Sequence, residues 1–208
     1  MEKIKAIIFD WGGVLIDDPK PALMKYCAKA LDVPENVFTE VFDKCLEDFQ
    51  KGFIGEPIFW ERICKKLNKP KPIQNSLWGD AFQAAYAPRP EVFSFAAELH
   101  NKGHKTALLS NTEVPAMQLI QQLDYDMFDE LVFSCAEGVA KPEKKIYDIV
   151  VGKFDLKPEQ VVLIDDKVEF VNGAKQAGLK GIVYKNLNQV KEELEELLAP
   201  GIAGGFVR

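Results

Sequence analysis

The chain has 208 residues, 47% of them hydrophobic, and a formal net charge of −6, which suits one large domain or a core domain carrying an insertion. Arginine occurs at Arg62, Arg89 and Arg208 alone, so there is no basic patch to neutralise nucleic-acid phosphates, and no run approaches the ~20 apolar residues that span a bilayer. The N-terminus places charges before a strand-length run and has no small-residue cleavage site, so a cytoplasmic protein is expected, with neither nucleic acid nor membrane as partner.

The first strand is expected at "IKAIIF" (4–9), a continuous apolar run of the kind buried on both faces of a parallel sheet. It ends in Asp10, followed by Trp11-Gly12-Gly13. Four helix-length amphipathic segments come next: "KPALMKYCAKAL", "ENVFTEVFDKCLEDF" (35–49), "EPIFWERICKKL" and "NSLWGDAFQAAY". "NKPKP" at 68–72 and "APRP" at 87–90 punctuate them. Residues 17–87 therefore read as a helical insertion, and residues 1–16 with 88–208 as the core. Phe59, Trp60, Trp78 and Phe82 read as packing within the inserted helices, and Trp11 as core packing on the strand side opposite Asp10.

Beyond the insertion, strands and helices alternate. A helix containing His100 ends at "NKG", and strands follow at "KTALL" (105–109), "LVFS" (131–134), "QVVLI" (160–164) and "GIVY" (181–184). Between and after them lie helices at 115–123, 144–154, 168–178 and 187–198, before a loose tail, "PGIAGGFVR". This alternation predicts an α/β fold, a Rossmann-like doubly wound parallel sheet with right-handed crossovers and helices on both faces. Cys27, Cys45, Cys64 and Cys135 are scattered without a CxxC pair and read as reduced thiols; His100 and His104 lack companion ligands for a metal.

In such sheets ligands bind beyond the carboxyl ends of the strands. Asp10, Ser110-Asn111-Thr112 and Asp165-Asp166 stand at those ends, and Lys141 precedes the helix after the third strand. Each is compatible with an ordinary turn, cap or solvated loop. Together they place three carboxylates, a hydroxyl and an ammonium along one sheet edge. Asp10, Asp165 and Asp166 would repel one another without a cation, and an oxygen set of this kind suits Mg²⁺. A phosphate completes the arrangement, with Asp10 attacking phosphorus and Lys141 and the Ser110 hydroxyl holding phosphoryl oxygens.

The ordered set "FDWGGVL", "LLSNT", Lys141 in "AKPEKKIY" and "VVLIDDKVEFVNGAKQAG" resembles the four motifs of the haloacid dehalogenase superfamily and covers almost the whole chain. The resemblance implies a Rossmann-like core with a helical cap inserted after the first motif. It makes Asp10 the nucleophile, and Ser110 and Lys141 the residues that neutralise the transferring group. Asn111, Gly12 and Gly13 join them around the substrate, and Asp10, the Gly12 carbonyl, Asp165 and Asp166 hold Mg²⁺. The substrate is expected to be a small phosphorylated metabolite of the sugar-phosphate type.

One departure stands out. Most phosphatases of this superfamily carry a second carboxylate, the general acid and base, where this chain has Gly12. Dehalogenases in the superfamily also lack it, so hydrolysis of a 2-haloacid is the rival reading, and a weakly catalytic protein that binds a phosphorylated ligand is another. The paired Asp165-Asp166 and the lack of an arginine in the insertion before Arg62 weigh against the dehalogenase. If another residue supplies the acid, Lys51 or Glu56 in the insertion is where it is expected.

Overall fold

The computed structural model describes residues 2–123 and 125–199; the tail "PGIAGGFVR" lies outside them. Five strands form one parallel sheet: β1 (Ala6–Phe9), β2 (Lys105–Ser110), β3 (Glu130–Phe133), β4 (Val161–Asp165) and β5 (Lys180–Val183), in the order β3-β2-β1-β4-β5. The strands are apolar throughout because both faces are covered, and alternate side chains serve opposite layers. Ile7 and Phe9 of β1 join Leu108, Val162 and Ile164 against α6 (Pro90–Asn101) and α11 (Leu187–Leu198). Ala6 and Ile8 join Ala107, Leu109 and Leu163 against α9 (Lys144–Phe154). With α10 (Val168–Gln176) beside β4 and β5, this is the α/β sandwich expected.

The chain runs from β1 outward through β2 to β3, then returns to the other side of β1 for β4 and β5. The carboxyl ends of β1, β2 and β4 are therefore neighbours at the point where strand order reverses. Their register is level: Phe9 pairs with both Leu108 and Ile164, and the Asp10 amide donates to the Ile164 carbonyl at 2.9 Å.

Between β1 and α6 lie five helices: α1 (Lys20–Ala30), α2 (Glu35–Asp43), α3 (Leu46–Gln50), α4 (Glu56–Leu67) and α5 (Leu77–Ala85). The single helix expected over 35–49 is thus two, broken at Lys44-Cys45. No glycine or proline marks this break; it is set by contacts distant in sequence. Turning α3 stacks Phe49 on Phe59 at 4.1 Å and brings the Gln50 carbonyl within 2.6 Å of the Ser134 hydroxyl that donates to it. Ser134, expected in the third strand, instead opens α8 (Ser134–Glu137), where that hydroxyl also accepts from the Thr112 amide. Gly52, at φ +71°, lies so close to this segment that a Cβ there would fall 2.1 Å from the Cys135 carbonyl oxygen. α7 (Val114–Gln121) follows the Ser110–Thr112 loop.

Phe38, Phe42, Phe49, Phe59, Trp60 and Trp78 form one aromatic cluster inside the insertion. Trp11 packs among Tyr86, Phe93 and Tyr125. All four cysteines are free thiols, and burial pushes Cys27 up to about 12. Among the described residues no helix is long and apolar enough to cross a membrane.

Candidate active site

A strand that ends in a carboxylate breaks its own apolar pattern, and β1, β2 and β4 all end in polar groups at one place. Asp10, Ser110 and Asp165 are buried there, with Asp165 0% exposed. Charges at this depth require partners. Lys141, 3% exposed, provides one: its ammonium donates to Asp10 Oδ1 at 2.7 Å, to Asp165 Oδ2 at 2.6 Å and to the Leu109 carbonyl at 3.1 Å. Asp165 Oδ1 accepts from the Lys167 amide at 2.9 Å, which aims the other oxygen at the lysine.

The electrostatics follow from this crowding. Burial pushes the Asp10 carboxyl up to about 7, opposed by the Lys141 charge and reinforced by that of Asp165. Burial alone would lower the Lys141 ammonium, but the charges of Asp10 and Asp165 raise it above the usual lysine range. Asp166 is also raised, by burial and then by Asp165.

Oxygens of Asp10, Asp165 and Asp166 lie within 4.8 Å of one another, the one such acidic cluster among the described residues. Three carboxylates face one buried ammonium, with the exposed Lys167 outside it, and Asp166 Oδ1 is buried without a hydrogen-bond partner. An orphaned oxygen beside an excess of negative charge, in an all-oxygen set, fits a small hard cation such as Mg²⁺.

The glycines after Asp10 serve different ends. Gly13 is not on the cavity wall. It adopts φ +88°, and a Cβ there would sit 2.4 Å from Asp166 Oδ2, so its lack of a side chain makes room for that carboxylate. Its carbonyl accepts from Arg89 Nη1 at 2.6 Å, while Arg89 Nε donates to Asp17 at 2.9 Å. Gly12 does line the cavity; a Cβ there would meet Pro19 Cδ at 3.0 Å, so a larger residue must move Pro19. The Asn111 side chain is turned to Lys141, donating to its carbonyl at 2.9 Å and accepting from its amide at 2.8 Å. It holds the lysine's backbone, and its amide is engaged there.

The two insertion residues expected as fallback acids are occupied elsewhere. Glu56 accepts from Trp60 Nε1 at 2.7 Å, the Trp78 amide at 2.7 Å and the Ser76 hydroxyl at 2.6 Å, and so secures the start of α5. Lys51 pairs with Glu47 and Glu143. Besides Asp10, the carboxyls that do line the cavity are the exposed Asp18 and the buried Glu113, just before α7. Glu113 is 4% exposed and accepts from Trp78 Nε1 at 2.8 Å, and burial pushes it up to about 7. In sequence it resembles an ordinary acidic residue at a helix start. Only the approach of α5 across the loop after β2 reveals its burial. Arg89 carried no signal either, since its partners Gly13 and Asp17 lie more than seventy residues away.

Several known proteins share this plan. The chain is 26% identical over 204 residues to mouse acyl-CoA dehydrogenase family member 10, a match that takes 93% of this chain but 19% of that protein. It is 25% identical over 203 residues to the sesquiterpene phosphatase astK of Aspergillus oryzae, covering 93% of this chain and 96% of that one. It is 28% identical over 198 residues to the phosphorylated carbohydrates phosphatase of Thermotoga maritima, covering 92% and 91%. Among solved structures, a family enzyme of Bacteroides thetaiotaomicron in complex with magnesium and inorganic phosphate superposes with a TM-score of 0.73 at 20% identity, over 88% of this chain and 94% of that one. The L-2-haloacid dehalogenase of Xanthobacter autotrophicus superposes at 0.64 with 23% identity, over 96% and 84%. The description "haloacid dehalogenase-like hydrolase" fits residues 4–178, and with the fold and the strand-end motifs in place, the chain belongs to that family of hydrolases.

Proposed function

We propose that the chain is a Mg²⁺-dependent phosphatase of a small phosphorylated metabolite, working through an aspartyl-phosphate on Asp10. The observation that carries this reading is the convergence of Asp10, Asp165 and Asp166 around a buried lysine at the end of the central strands. A carboxylate oxygen of Asp10 attacks phosphorus, the bond from phosphorus to the alcohol oxygen breaks, and the alcohol leaves with a proton taken from water. Water then attacks the phosphorus of the acyl phosphate, releasing inorganic phosphate and restoring Asp10. Lys141 balances the charge of the transferring group, the Ser110 hydroxyl donates to it, and Asn111 keeps Lys141 in place. Asp10, the Gly12 carbonyl, Asp165 and Asp166 would hold Mg²⁺, which when bound adds positive charge beside the phosphoryl oxygens. Residues 17–87 act as a cap over the core formed by 1–16 and 88–208. Three buried free thiols suit a reducing, cytoplasmic setting.

The names of the relatives divide on the leaving group. The Thermotoga maritima protein supports a phosphorylated carbohydrate, and the Aspergillus oryzae protein supports an apolar alcohol. The choice rests on the cavity walls.

Asp10→Asn should remain folded and lose phosphate release by more than about 10³-fold, and excess EDTA should stop the parent. Retention of activity within tenfold in Asp10→Asn, or full activity in EDTA, refutes the reading. Halide release from 2-haloacids without phosphate release from any ester would install the dehalogenase instead.

A further inference from the structure

The cavity at Asp10 has a volume of about 290 Å³ and two unlike ends. Asp10, Ser110 and Lys141 line one, with the exposed Asp18, Lys20 and Lys167 on the solvent side. Six side chains from the insertion make the other: Leu23, Met24, Phe42, Leu46, Trp78 and Phe82.

We propose that this apolar wall receives the leaving group, and that the substrate is the phosphate monoester of a hydrocarbon alcohol and not of a polyhydroxylated sugar. The inference rests on the phosphatase reading of the same site and names its substrate class. A sugar presents several hydroxyls, and each one buried without a partner weakens binding by roughly 5- to 150-fold. The insertion end has little to offer them. The indole N–H of Trp78 is engaged with Glu113 Oε2 and the Asn111 side chain with the Lys141 backbone, which leaves Gln50, Thr112 and Glu113 as the polar side chains of the lining beyond the reacting groups and the solvent-side Asp18, Lys20 and Lys167. Burial raises the Glu113 carboxyl to about 7, which favours its neutral form in this wall. The volume sits at the small end of ligand pockets, which fits a phosphate with a short or medium chain.

The test is phosphate release by the whole protein with Mg²⁺. Straight-chain alkyl phosphates from ethyl to octyl are compared with hexose and triose phosphates esterified at a primary alcohol, so that leaving-group basicity is matched. Acetyl phosphate and an aryl phosphate report chemistry that needs little protonation of the leaving oxygen. kcat/KM should climb about fourfold per methylene until the cavity is full, and the best alkyl ester should exceed every sugar phosphate at least about tenfold. A sugar phosphate that equals or exceeds the best alkyl ester overturns the substrate class while leaving the phosphatase reading intact. No phosphate from any compound, acetyl and aryl phosphate included, overturns both. Leu46→Asn, at a half-buried wall position, should flatten the chain-length dependence, and an unchanged slope in that variant also overturns the proposal.

Discussion

Two regions meet at the cavity and are held together by opposite means. At the strand ends Asp10, Asp165 and Lys141 are packed within hydrogen-bond distance, each more than nine-tenths buried. In the insertion the interior is aromatic, with rings such as Phe42 and Trp78 stacked at 5.2 Å and carboxylates such as Glu56 answering neutral donors. The strand ends gain reactivity from charges that cannot relax. The insertion gains a shaped, largely uncharged wall. Buried ion clusters are worth little to stability when intact and cost much when broken, whereas apolar packing fails in proportion to what is removed. The two halves should therefore respond differently to substitution.

The largest loss of stability should come from removing the cation that joins the two carboxylates. Lys141→Ala leaves Asp10 and Asp165 facing each other without it, and should lower unfolding free energy by about 3–5 kcal/mol and phosphate release by at least about 10²–10³-fold. Denaturant titration with an activity assay checks both. A loss under about 1 kcal/mol would mean that the carboxylates are not interdependent.

What the sequence revealed divides along the same line. The strand ends were legible because a polar group terminating an apolar run violates the local pattern, and Asp10, Ser110 and Asp165 each do so. Parallel strands buried on both faces likewise read as unbroken apolar runs. The break at Lys44-Cys45, the turn of Asn111 onto Lys141 and the burial of Glu113 left no such trace. They arise from contacts with Ser134, Lys141 and Trp78, twenty or more residues away, while their own residue types are ordinary for helix, loop and helix start. Gly13 was legible as a glycine but not as the neighbour of Asp166, since the approach depends on how the loop after β1 folds under Arg89.

Gly13 supplies the next test. Gly13→Ala combines φ +88° with a Cβ placed 2.4 Å from Asp166 Oδ2, so the loop or the carboxylate must move. A displacement near 1 Å at a reacting site is worth about 10²-fold in rate. Phosphate release should fall by that amount and weaken further as Mg²⁺ is lowered, because the displaced Asp166 is a proposed ligand. An unchanged Mg²⁺ dependence would separate Gly13 from the cation site.

The smallest effect, and one of opposite sign, belongs to the insertion side. Glu113 is an exception to that side's neutrality, a carboxyl raised by burial from 4.5 to about 7. Its surroundings do not titrate nearby: Trp78 and Gln50 are neutral, and burial pushes the adjacent Cys135 up to about 11. Because the folded carboxyl holds its proton more tightly than the unfolded one, its contribution is fully present below about 4.5 and is lost as pH rises through about 7. At 1.36 kcal/mol per unit the loss is at most about 3.4 kcal/mol, and relaxation around the carboxylate should reduce it to about 1–2. Glu113→Gln keeps an oxygen to accept from Trp78 Nε1 and cannot ionise. The variant should match the parent near pH 4.5 and be the more stable by about 1–2 kcal/mol at pH 8. Subtracting the two stability curves cancels Asp10, which changes over the same range in both proteins. Curves that stay parallel from pH 4.5 to 8 would show that Glu113 is ionised throughout and that the wall above Asp10 carries a charge, which would also remove the electrostatic case for an apolar leaving group.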